Sequence, residues 1–130
     1  MKDYYTIAQG RGAVGVRPAD GGVEVRVTGN GYSQAALVPS EEVGRVVRAL
    51  RAGESFEVLG GGSILWTRPS SRAGWLNLSA ATEMMWCDMQ YPSVEIGPKV
   101  AIRLAELIEP NPLAGARRRR DDNLREVFGD

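Results

Sequence analysis

Pro39-Ser40-Glu41-Glu42-Val43-Gly44-Arg45-Val46-Val47-Arg48-Ala49-Leu50 is the stretch where the chain changes period. Val43, Val46, Val47 and Leu50 recur at spacings of three and four, which puts one apolar stripe along a helix. Ser40 stands where an N-cap belongs, and Glu41 and Glu42 suit the positive end of a helix. Gly53 supplies the stop. Further on, Ala101, Leu104, Ala105 and Ile108 repeat the stripe position for position, with Arg103 falling where Arg45 fell. Gly97-Pro98 opens this second helix, since proline suits the first helical position, and Pro110 ends it.

Outward from the first helix the period is two. Val23, Val25 and Val27 alternate with Glu24, Arg26 and Thr28, the pattern of a strand with one wet face. Asp20-Gly21-Gly22 and Gly29-Asn30-Gly31 are turn signals on either side of it. With Tyr4–Ala8, Ala13–Arg17 and Tyr32–Val38, the first unit has four strands before its helix. The grammar then repeats. Ser55–Leu59 and Ser63–Arg68 flank Gly60-Gly61-Gly62, and Pro69–Gly74 is a loop. Trp75–Ala80 alternates, and an extended stretch runs from Met84 through Tyr91 to Ile96.

The predicted fold is therefore α+β, two ββββα repeats over residues 1–53 and 54–109. Each repeat alone is short of apolar material, so antiparallel sheets with one helix each are expected to pack as one domain. Residues 110–130 read as a basic, flexible tail carrying Arg117, Arg118, Arg119 and Arg120. A short helix there would align Leu124, Val127 and Phe128 as a partner-binding stripe.

Composition removes several kinds of chemistry. The 130 residues include no histidine and one cysteine, which leaves too few ligands for a structural zinc site. Histidine-based triads are absent for the same reason. No apolar run approaches the roughly 20 residues that span a bilayer, and the N-terminus lacks a secretory pattern. The expectation is a cytoplasmic, non-membrane protein without metal or cofactor. The 16 basic and 16 acidic side chains cancel, so any polyanion would have to be held by a local patch.

Motif matches dissolve on inspection. Gly10-Arg11-Gly12-Ala13-Val14-Gly15 has dinucleotide-binding spacing, but Pro18 and a turn follow where a helix must begin. Gly60-Gly61-Gly62 lacks the lysine of a phosphate loop. Glu83 and Asp88 fall on opposite faces of an extended segment, a poor acid–base pair. Cys87 beside Asp88 is a small packing residue among Met84, Met85 and Met89, since an acidic neighbour raises a thiol's pKa. No enzyme is expected.

One group stands out. Trp66 and Arg68 end one strand, Arg72 lies in the loop, and Trp75 and Asn77 begin the next strand. If Leu76 and Leu78 face the helix, Trp75 and Asn77 face outward. Should Trp66 and Arg68 share that face, two indoles and two guanidinium groups form a surface for stacked bases and phosphates. The other arrangement buries the indoles in the join between repeats. Arg26 and the tail arginines would add phosphate contacts.

The doubled ββββα order, with the stripes Val43–Leu50 and Ala101–Ile108, resembles the PUR-repeat proteins and, more loosely, the Whirly class. That resemblance implies single-stranded DNA or RNA binding on the outer sheet faces and association between chains. The alternative is a homo-oligomeric assembly module that binds no nucleic acid.

Overall fold

The computed structural model describes residues 5–9, 12–82 and 91–109. Its elements are β1 (Tyr5–Gln9), β2 (Gly12–Ala19), β3 (Gly22–Gly29), β4 (Tyr32–Pro39) and α1 (Ser40–Ala52). They are followed by β5 (Glu57–Gly60), β6 (Ser63–Pro69), β7 (Leu76–Thr82), β8 (Ser93–Ile96) and α2 (Pro98–Ile108). The strands form two antiparallel four-stranded sheets, β1-β2-β3-β4 and β5-β6-β7-β8, so the ββββα unit occurs twice.

Tight turns set the register. Asn30 and Gly31 have φ of 55° and 83°, and Gly61 and Gly62 have φ of 58° and 79°. Left-handed residues of this kind let two-residue hairpins follow the twist of their strands. Alternation then sorts the side chains. Val14, Val16, Val25, Val27, Ala36 and Val38 of the first sheet point into one core with Val58, Leu65, Leu76, Leu78, Ala80, Val94 and Ile96 of the second. The helix stripes Val43, Val46, Val47, Leu50 and Ala101, Leu104, Ala105, Ile108 complete that same core. The two helices pack on one another, α1 also against β3 and β4, α2 against β1 and β2.

Each repeat clasps the other. The β5–β6 hairpin abuts β4, where Leu37 N–H donates to Ser63 Oγ (2.9 Å) and that hydroxyl donates to Gly60 O (2.6 Å). Reciprocally, Gly12 at the start of β2 lies against Val94 of β8. Arg51 and Glu109 pair at 2.6 Å, and they occupy matching places at the ends of their helices. Contact between matching positions fits a near two-fold relation between the repeats, with its axis running near this pair.

Gly29 sits where β3 meets β8. A Cβ there would lie 2.2 Å from Ser93 O and 3.0 Å from its carbonyl carbon, and backbone cannot retreat as a side chain can. Gly29→Ala is expected to cost about 1–3 kcal/mol, as overpacking does. A urea titration checks this, and an unchanged midpoint would mean that the two sheets meet elsewhere.

Two sequence expectations need correction, and a third is only partly described. Ser40 is not the N-cap: Pro39 holds that position, no side chain caps the helix, and Ser40 N–H donates to Gly21 O (2.8 Å). The β2–β3 hairpin does the work expected of a hydroxyl. The fifth strand begins at Glu57 rather than Ser55, although Phe56 N–H already donates to Thr67 Oγ1 (3.0 Å). The described last strand is short, Ser93–Ile96, with Tyr91 and Pro92 leading into it; residues 84–90 of the extended stretch, with Cys87 and its methionines, lie outside the described residues. So do Arg117–Arg120, Leu124, Val127 and Phe128. Among the described residues no helix is long and apolar enough to cross a membrane.

Candidate nucleic-acid interface

The outward face of the second sheet is read from its register. Trp66 pairs with Ser79, Arg68 with Asn77, and Asn77 in turn with Glu95. Leu76, Leu78, Val94 and Ile96 fill the core, so Arg68, Asn77 and Glu95 form one row across three strands on the other face. Trp75 lies just before β7, beside Gly97, at the end of the same face.

Of the expected group, Arg68, Arg72, Trp75 and Asn77 come together, and Trp66 does not join them as a platform. Trp66 is only 4% exposed. Ile64 and Ala81 flank it on the same face, and the Tyr91 ring meets it edge-on at 4.9 Å between centroids. Trp66 thus anchors a second, small apolar cluster on the side of the sheet away from the main core. The expectation failed because Tyr91, on the long connection entering β8, covers the indole, and no periodicity announces that contact.

Trp75 is held differently. A Cβ on Gly97 would come within 2.9–3.1 Å of three carbons of its six-membered ring, so only glycine admits the indole there. The guanidinium of Arg72 sits over the ring, 4.5 Å from its centroid. The loop between is closed by Ser70 N–H donating to Trp75 O (2.9 Å) and Trp75 N–H donating to Arg72 O (3.1 Å).

Sequence reasoning missed Glu95. Its carboxylate accepts a hydrogen bond from the Ser70 hydroxyl and lies 3.8 Å from Arg72 Nε. No signal within β8 could have found it, because its neighbours come from register.

Compared with protein-family models, curated proteins and solved structures, the chain matches none. Pro18, Val23 and Val38 line up across the first sheet as Pro69, Leu76 and Ile96 do across the second. One step away, the row Arg17–Glu24–Leu37 therefore matches Arg68–Asn77–Glu95. In the first sheet the glutamate stands directly opposite the arginine, and Arg17 and Glu24 form an ion pair. In the second sheet an amide takes that place and the glutamate is moved one strand outward. Arg68 is left exposed, and among the described residues its side chain makes no ion pair or hydrogen bond.

The expected contact residue Arg26 belongs to the first sheet's outer face. It donates to Ser33 Oγ (3.1 Å), which also bonds Thr28 Oγ1 (3.1 Å). It lies in the other repeat from the Arg68 row. Among the described residues no three His, Cys, Asp or Glu side chains come together as a metal-holding group.

Proposed function

We propose that this protein binds single-stranded DNA or RNA, without catalysis, on the outer face of its second sheet. The observation that carries the reading is the uncompensated Arg68 guanidinium in a patch that also offers an indole and an amide. Arg68 suits a phosphate. Trp75 suits a stacked base, a contact that contributes about 1–3 kcal/mol in single-strand binders. Asn77, opposite Arg68 in the row and two residues from Trp75 along the chain, carries a donor and an acceptor for a base edge. Single strands fit better than duplexes here, because only unpaired bases offer both an open face and an open edge. The order of elements that resembles the PUR repeats supports the same reading, although fold analogy alone does not carry a function.

Titrating labelled oligo(dT) while following tryptophan emission tests this. Binding is expected to quench emission and to weaken as salt rises, because phosphate contacts release counterions. Absence of binding even at low salt would reject the reading.

A second reading, a homo-oligomeric assembly module, has one observation in its favour. Leu59, on the edge strand β5, is 69% exposed, and apolar groups on open edges invite pairing. Under this reading Leu59→Lys is expected to lower the mass measured by light scattering. An unchanged mass would remove the edge as a contact.

A further inference from the structure

We infer that Arg72 is a placeholder: in the ligand-free protein its guanidinium occupies the stacking position over Trp75 that a base takes on binding, and Glu95 is the positioning residue that keeps it there. This inference rests on the proposed nucleic-acid binding and names how that site is kept before its ligand arrives.

The indole cannot easily move, since its ring is seated on Gly97 and its backbone closes the Ser70–Trp75 loop. Arg72 can move. Its side chain is 62% exposed, and its Nε stands 3.8 Å from Glu95 Oε1, longer than a good hydrogen bond. Glu95 is the better anchored partner. It takes the Ser70 hydroxyl, and that same hydroxyl accepts from Arg72 N–H (3.2 Å), so carboxylate, serine and arginine backbone form one chain. Glu95 thereby fixes both the start of the loop and the direction of the guanidinium.

The strengths favour exchange. An exposed ion pair changes an equilibrium by roughly fivefold at most, and an exposed cation–π contact by a similar factor. A stacked base is worth roughly fivefold to a hundredfold or more. A base can therefore displace the guanidinium, and the released Arg72 is then close enough to the incoming nucleotide to meet its phosphate. Until then the indole stays covered, which spares the protein an exposed aromatic face.

Full-length protein labelled with 5-fluorotryptophan provides the test, with the Trp75 resonance assigned through Trp75→Phe. Without any ligand, Arg72→Ala and Glu95→Gln are both expected to shift that resonance and increase its solvent isotope effect. A resonance unmoved in both variants would overturn the placeholder.

Oligo(dT) titration supplies the second arm. Arg72→Ala is expected to bind more weakly than wild type at low salt, where a phosphate contact is lost. At high salt it is expected to bind about twofold to fivefold more tightly, because phosphate contacts are screened while competition for the ring is gone. Glu95→Gln is expected to tighten binding, and by a smaller factor when Arg72 is already alanine. An equal gain in both backgrounds would show Glu95 acting only as a charge and overturn its positioning role. Wild-type binding with Arg72→Ala weaker at every salt concentration would overturn the placeholder alone, whereas no wild-type binding would remove the function beneath it.

Discussion

Leu104→Ala is expected to lower stability by about 2–5 kcal/mol, the range for removing a large aliphatic side chain from a packed core. Leu104 is fully buried on α2, in the cluster that also holds Val46 and Leu50 of α1 and the inner strands of both sheets. Domains of this size are stable by only about 5–15 kcal/mol. The loss should therefore lower Tm by roughly 10–25 °C. Calorimetry gives more than the midpoint. Because one core serves both repeats, Leu104→Ala and the matching Leu50→Ala should each leave a single cooperative transition. Two separated transitions in either variant would show that each repeat holds itself together, contrary to the shared core.

The parts of this fold that were legible are those where neighbours in sequence carry the signal. The Val43–Leu50 and Ala101–Ile108 stripes lie along one helix side and are buried as their spacing predicts. Alternation through Val23–Thr28 and the Asn30-Gly31 turn likewise act within one hairpin. What stayed hidden depends on distant pairings. Ser40 looks like a cap until Gly21 O reaches its N–H from another hairpin. Trp66 looks like a platform until Tyr91 covers it. Glu95 looks like a solvated edge residue until the β7–β8 register sets it across from Asn77 and within reach of Ser70 and Arg72. The candidate site was thus half readable: its cations and one indole could be grouped through a single loop, while the carboxylate that orders them could not.

Asn77→Glu carries the largest expected effect on binding, because it writes the first sheet's arrangement into the second. Glu24 stands opposite Arg17 and pairs with it, so the sheet geometry accommodates a glutamate at this place in the row. Cross-strand opposite charges contribute about 0.2–1 kcal/mol to a sheet, so stability should hold or rise slightly. Binding should not hold. The new carboxylate would occupy the Arg68 guanidinium and add a second negative charge beside Glu95, facing the incoming phosphates. At the effective dielectric of a protein surface, one charge this close to another costs a few kcal/mol before screening. We expect affinity for oligo(dT) at low salt to fall by about tenfold or more, and the slope of log affinity against log salt to shrink by about 0.7 for the lost phosphate contact. Asn77→Gln, which keeps the amide, should retain that slope. A charge change elsewhere on the surface would move affinity without removing one contact from the slope, so the two readouts together separate Arg68 from the general field. If Asn77→Glu binds with wild-type affinity and slope, Arg68 does not touch the nucleic acid, and the asymmetry between the repeats has no part in recognition.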